Sequence, residues 1–279
     1  VPLGLLVTKD PTGKRLKEVD WLIKDYAITV LPSIYSLKTM RSIAGKSKAS
    51  KPIIAFADPV FSKSKPQLAT LRNMPSLSQG EQIDIADIVR ALPQLDGTRS
   101  EVKAIGGKLK APAADILLGE KATETAVKSA KLNDYKIVYF ATHGLVAGDL
   151  AKVSKAKAEP ALVMTTPDNL TRFDDGLLQA SEIVELKLDA DWVVLSACNT
   201  ATPDFVGAEA LSGLARSFLY AGARSIVASH WDVQDKPTAQ LMTEMFTIAK
   251  DNPRLWHGEA LQQAMLKMIQ NAKNDNDAH

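Results

Sequence analysis

Short runs of apolar, β-branched residues alternate along this chain with longer stretches whose apolar positions recur at helical spacing. That alternation predicts an α/β fold, a mostly parallel sheet flanked by helices. Strands are predicted over 27–31, 52–57, 115–118, 136–141, 161–165, 192–197 and 225–230. Several have no polar interruption. Ile137-Val138-Tyr139-Phe140 and Val193-Val194-Leu195 are continuous, as strands covered on both faces are.

Helices fill the intervals. Thr98-Arg99-Ser100-Glu101 fits a capping box and predicts a helix reaching about Lys110. The clearest helix spans 207–220, where Leu211, Leu214, Ala215, Phe218 and Leu219 fall at i, i+3, i+4, i+7 and i+8. Gly222 then supplies its C-terminal cap. Two more helices are predicted at 237–249 and 258–272. The polar stretches 42–51, 62–80 and 148–159 read as surface loops. With no internal repeat and no clean linker, one domain over 1–279 is the simplest count.

Composition narrows the partners. The 279 residues carry 34 basic and 32 acidic side chains, a formal charge of +2, so no strong field attracts nucleic acid or an acidic membrane. Lys46, Lys48, Lys51, Lys63 and Lys65 lack interleaved aromatic residues and read as solvated loops, not a nucleic-acid surface. Cys198 is the single cysteine, which excludes an intramolecular disulfide and suggests a reducing, cytoplasmic setting. No stretch approaches the roughly 18 consecutive apolar residues of a membrane helix. The opening Val1-Pro2-Leu3-Gly4 has no signal pattern and no initiating methionine, so a piece of a longer protein is expected. No Walker A motif occurs and no GxGxxG follows a strand; Gly106-Gly107-Lys108 lies inside a predicted helix. No cofactor is therefore expected. Asp174, Asp175 and Glu182 form an acidic group without EF-hand spacing, which reads as a solvated turn and not a metal site.

Two predicted strands end in reactive residues. Ile137 to Ala141 runs into Thr142-His143-Gly144, and Val193 to Ala197 runs into Cys198-Asn199-Thr200. In open α/β sheets ligands bind outside the carboxyl ends of the strands. If the two strands are parallel neighbours, an imidazole and a thiol emerge on one edge. A free thiol is only a few per cent ionised at neutral pH, so it needs a base such as His143 to become a nucleophile. The N–H groups of Gly144 and Cys198 are the natural oxyanion donors, glycine allowing close approach of a scissile carbonyl. Taken singly, a buried cysteine or a structural histidine is ordinary. Their coincidence at two strand ends is the informative feature.

The resemblance is carried by Phe140-Ala141-Thr142-His143-Gly144, Asp175-Gly176-Leu177-Leu178 with Glu182-Ile183, Leu195-Ser196-Ala197-Cys198-Asn199-Thr200, Gly207-Ala208-Glu209-Ala210, Ala221-Gly222-Ala223 and Ser229-His230-Trp231-Asp232-Val233. Ala215 and Phe218-Leu219 add to it, with weaker matches at Leu31-Pro32-Ser33 and Ala57-Asp58-Pro59. Together these blocks resemble the CHAT family, caspase-like peptidase domains commonly attached to tetratricopeptide arrays. The resemblance covers nearly the whole chain and implies a caspase-like three-layer α/β/α sandwich. It implies a catalytic dyad of His143 and Cys198; their separation of 55 positions fits the roughly 50 of caspases. It also implies a tetratricopeptide-repeat or other regulatory region in the full-length protein. Two departures stand out. His230 replaces a usual aliphatic residue, and the chain stops at Asp277-Ala278-His279, near where family members add a final apolar strand.

In caspase-like enzymes the segment corresponding to Ser229-His230-Trp231-Asp232 lines the primary specificity pocket. The resemblance therefore implies substrate contacts from Ser229, Trp231 and Asp232, the last reading a basic P1 side chain. Asp232 reads alternatively as the cap of a turn. Lys152 to Lys157 forms a candidate basic cleavage loop. Two function classes follow: a cysteine endopeptidase acting on a protein or peptide substrate, or a catalytically inactive caspase-like scaffold that binds other proteins.

Overall fold

The computed structural model describes residues 3–31, 47–61, 89–90, 92–145, 159–171, 173–196, 213–229 and 235–272. These residues group into two compact units, one drawn from 1–31 and 236–279, the other from 32–235. The larger unit holds eight strands in its described part: β1 (Lys51–Ala57), β2 (Ile116–Leu118), β3 (Tyr135–Ala141), β4 (Gly144–Leu145), β5 (Ala161–Val163), β6 (Leu177–Gln179), β7 (Trp192–Leu195) and β8 (Ile226–Ala228). Its helices are α1 (Asp96–Lys108), α2 (Glu124–Ser129), α3 (Ala180–Ile183) and α4 (Gly213–Tyr220). The smaller unit contributes α5 (Asp235–Asp251) and α6 (His257–Asn271).

Five strands form a parallel sheet in the order β2-β1-β3-β7-β8. Its register follows from burial. Ile54, Val138 and Val193 align across three strands, as do Phe56, Phe140 and Leu195. All six side chains join one core with Val127 of α2, Ile183 of α3, and Leu214 and Phe218 of α4. Phe56 stacks on Phe140 with ring centroids 5.4 Å apart, and Phe140 meets Phe218 at the same distance. The alternate residues Ile53, Ala55, Tyr139 and Val194 are also buried, on the opposite face. There Glu101 of α1 accepts a hydrogen bond from the Tyr139 hydroxyl. The result is the expected α/β/α sandwich around a mostly parallel central sheet.

Besides α2 and α3, which the sequence reading does not predict, the elements differ from it in four places. Residues 27–31 form no strand; Ala27, Thr29 and Val30 are exposed, and β-branched composition alone does not make a strand without a neighbour to pair. The predicted 161–165 strand is the shorter β5, which joins a separate antiparallel sheet in the order β4-β5-β6. Strands β4 and β6, of two and three residues, are too short to show periodicity. The fourth difference is the start of α1. It begins at Asp96 after Leu95, which makes no side-chain cap bond. Thr98 instead donates to the Leu95 carbonyl and accepts from the Asp58 N–H, while Glu101 is taken by Tyr139. Tertiary partners have claimed both side chains of the expected capping box.

The end of α4 follows the sequence reading. Gly222 donates to the Leu219 carbonyl and Ala223 to that of Phe218, at 3.2 and 3.0 Å, the two bonds of a Schellman ending. Gly222 has φ +113°, and a Cβ built there would stand 2.3 Å from the Leu188 carbonyl oxygen. The first described residue of α4 is Gly213, and the predicted 207–212 portion lies outside the described residues.

In the smaller unit, α6 is tied to α5 by Lys267 and Glu244 at 2.6 Å and to residue 23 by Gln262, which donates to the Ile23 carbonyl at 2.8 Å. Among the described residues, no helix is long and apolar enough to cross a membrane.

Replacing Gly222 by alanine forces a methyl group onto the Leu188 backbone in a conformation L-residues rarely adopt, and is expected to cost about 3 kcal/mol. Urea unfolding of the two proteins checks this. A Gly222→Ala protein as stable as its parent contradicts the cap.

Candidate active site

The carboxyl ends of the five parallel strands form one edge, and β3 occupies its centre. Two residues past β3 stands His143, half-buried. Its ring lies against the buried Phe61, with centroids 5.2 Å apart and planes tilted by 51°. Phe61 belongs to a second apolar core with Leu92, Leu145, Ala161, Val163 and Leu177, which underlies the small sheet. The backbone around the histidine is fixed on both sides. Thr142 donates its hydroxyl to the Val163 carbonyl, and the Val163 N–H donates to the His143 carbonyl at 2.9 Å.

The imidazole has a definite orientation. Nε2 lies 2.8 Å from the Pro93 carbonyl oxygen. A carbonyl can only accept, so Nε2 carries a proton. In the neutral ring Nδ1 is then the basic nitrogen. The backbone oxygen thereby selects the histidine tautomer.

Gly144 has a similar clarity. Because Val163 donates to His143, Gly144 and Leu162 form a non-hydrogen-bonded pair in the antiparallel ladder. The Gly144 N–H therefore faces away from β5, along the outer edge of the small sheet.

Next to β3 runs β7, parallel and in register, with Phe140 opposite Leu195. The following residue, Ser196, donates its N–H to the Phe140 carbonyl at 2.9 Å. Its side chain hydrogen-bonds Tyr139, whose hydroxyl in turn bonds Glu101; burial raises the Tyr139 pKa well above its usual value and keeps the phenol neutral. Cys198 lies outside the described residues. Ser229 directly follows β8 at the same edge, two strands from β3, on the order of 10 Å away. His230, Trp231 and Asp232 lie outside the described residues, as does the basic loop at 152–157.

A scan against protein families matches the CHAT domain over residues 1–279. The chain belongs to the CHAT domain family. This family is related to the caspase-like cysteine peptidases. No curated protein matches the chain. The five-stranded sheet and its crowded carboxyl edge are thus the CHAT framework as this sequence builds it.

The acidic group of this CHAT domain is not the solvated turn that the sequence suggested. Its centre is Lys128, a residue sequence reasoning passed over. The Lys128 ammonium donates to Glu124, to Glu182 at 2.7 Å and to the Phe173 carbonyl at 2.9 Å. Glu124 is 1% exposed, and its other oxygen accepts from the N–H groups of Asp175 and Gly176 at 2.9 and 3.2 Å. Asp174 is buried too, accepting from the Thr125 hydroxyl and N–H. The network locks α2 to the turn that leads into β6, and β6 pairs with β5, the strand that holds His143 in place. The signal that could have found it is the Glu124–Lys128 pair at i,i+4, directly after Thr123, whose hydroxyl caps α2 by accepting from Ala126. Among the described residues, no group of three or more His, Cys, Asp or Glu is arranged to hold a metal ion.

Burial pushes the Glu124 carboxyl up to about 7, with the charge of Glu182 adding to it and Lys128 opposing. For Lys128, burial works against the charge, but the bonds to Glu124 and Glu182 outweigh it and hold the pKa above the usual value. Since the folded pKa of Glu124 exceeds its ordinary 4.5, its contribution to stability is full below that pH and is lost as pH rises through about 7. Lys128→Met removes the one opposing charge and raises Glu124 further. The substitution is expected to cost about 1 kcal/mol at pH 5 and about 3 kcal/mol at pH 8. Urea midpoints at the two pH values measure it, and an equal loss at both contradicts the arrangement.

Proposed function

We propose that this CHAT domain is a cysteine endopeptidase that cleaves a protein substrate through His143 and Cys198, after a basic P1 residue. The observation that carries the reading is the orientation of His143. Its Nε2–H is given to the Pro93 carbonyl, which makes Nδ1 the basic nitrogen of the neutral ring, at the end of the strand that pairs with β7.

The chemistry follows from those positions. His143 Nδ1 takes the thiol proton of Cys198, and the sulfur attacks the scissile carbonyl carbon. Charge develops on the carbonyl oxygen, where the N–H groups of Gly144 and Cys198 receive it. Collapse of the tetrahedral intermediate breaks the C–N bond, and the imidazolium returns its proton to the leaving amine. A thioester then joins the acyl group to Cys198. Water, deprotonated by His143, attacks that thioester and releases the acid product and the thiol.

In the same reading Ser229, Trp231 and Asp232 form the P1 wall beyond β8. An aspartate carboxylate there pairs with an arginine or lysine and repels an acidic side chain. We extend the proposal to a reducing, cytoplasmic setting and to a tetratricopeptide or other regulatory region that governs access to the site. Both are expectations drawn from the single cysteine and from the family.

Cleavage of an arginyl and lysyl peptide library by the parent and by Cys198→Ala tests the peptidase. Activity in the parent that vanishes in the variant is the expected result. Cleavage that survives in Cys198→Ala rejects it, and silence from the intact full-length protein against every peptide favours the scaffold. For specificity, arginyl reporters are expected to turn over at least about a hundredfold faster than aspartyl ones, with Asp232→Ala erasing most of the difference. Faster aspartyl cleavage rejects the role of Asp232.

A further inference from the structure

We propose that Asp58 is a positioning residue for His143, acting through Gln94 and the Pro93 carbonyl. The proposal rests on the peptidase reading for its functional meaning, but its physical content stands on its own geometry.

The His143 Nε2–H is received by the Pro93 carbonyl, and that carbonyl belongs to no strand or helix. Pro93 lies in the link before α1, where the described backbone bonds are few: Leu92 donates to Val89, and Thr98 to Leu95. Without a further tie, the oxygen that fixes the imidazole would move with its loop. Asp58 supplies the tie. It is the first residue past β1, and β1 pairs directly with β3 up to Ala57 and Ala141. The residue is therefore anchored on the same sheet edge as the histidine.

Its carboxylate is divided between two partners on the link and the helix. Oδ1 accepts from the Gln94 side-chain amide at 2.7 Å, and Oδ2 accepts from Arg99 Nε at 2.6 Å. The Gln94 amide also donates to the Pro59 carbonyl at 2.8 Å. Both amide hydrogens of Gln94 are thus spent on the Asp58-Pro59 turn. Asp58 itself has φ +53°, a conformation in which aspartate is among the tolerated residues, and its N–H is held by the Thr98 hydroxyl at 3.1 Å. The chain of contacts runs from the end of β1, through Asp58 and Gln94, to the neighbouring Pro93 carbonyl and so to His143 Nε2. Arg99 pairs with the charge that this turn buries, at 2.6 Å.

The test uses the whole chain, 15N-labelled, and the rate at which the His143 Nε2 proton exchanges with solvent. A ring N–H held by a fixed carbonyl exchanges slowly. In Asp58→Asn and Gln94→Ala the rate is expected to rise at least about tenfold, in the range by which outer-shell hydrogen bonds act on the groups they orient. Gln94 is exposed, so its variant keeps the test open should Asp58→Asn fail to fold. Gly222→Ala serves as the comparison, since it strains the end of α4 against Leu188 without touching the clamp, and leaves the exchange rate unchanged. In a peptidase assay the two clamp variants lose kcat with KM held. Unchanged exchange in both clamp variants overturns the proposal, whatever the activity does. Equal acceleration in Gly222→Ala overturns it as well, since general loosening then explains the effect. Acceleration confined to the clamp variants, with no cleavage by any protein including the parent, upholds the clamp and removes the peptidase reading.

Discussion

Everything at the candidate site depends on the parallel, in-register pairing of β3 with its two neighbours. A strand covered on both faces cannot slip by one residue without exchanging its two buried sets, and here both sets are large. Phe140 is stacked between Phe56 and Phe218 on one face, and Tyr139 is bonded to Glu101 on the other. The sheet therefore fixes where each strand ends. Asp58 and Thr142 stand side by side as the first residues past β1 and β3, and Ser196, the first past β7, is level with Ala141. His143 follows directly after that line.

Around this edge the protein uses two different electrostatic solutions. The Asp58 turn pairs one carboxylate with one guanidinium and one amide, and it lies close to His143. The Lys128 network instead gathers two carboxylates and a backbone carbonyl around one ammonium, further along the chain that braces β5. Burying several like charges is costly unless the counter-charge is central and the remaining oxygens are satisfied. Glu124 meets that condition through the N–H groups of Asp175 and Gly176. The Asp-Gly-Leu-Leu segment of the sequence is thus a docking point for α2, with the β6 strand growing out of it.

The sheet was legible in the sequence because parallel, doubly covered strands leave uninterrupted apolar runs. Six of the seven predicted strands appear within a few residues of their expected bounds. The seventh, 27–31, has the composition of a strand but pairs with no strand among the described residues. What the sequence concealed were features set by partners distant along the chain. Thr98 and Glu101 look like a capping box because local pattern cannot show that Asp58 and Tyr139 compete for them. The Pro93 carbonyl has no side-chain signature at all, being a backbone atom 50 positions from the histidine it orients. At the site, the strand end carrying His143 and Gly144 was readable from sequence; the tautomer of the one and the outward N–H of the other needed the fold.

The central claim is that His143 and Cys198 act as a pair. Its most direct test is the pH dependence of Cys198 alkylation by a small iodoacetamide, in the parent and in His143→Ala. If the imidazole takes the thiol proton, the parent's profile begins well below the ordinary thiol range, and His143→Ala returns it to a single titration near a pKa of about 8.5. Identical profiles in the two proteins would contradict the pairing and leave the histidine a structural residue.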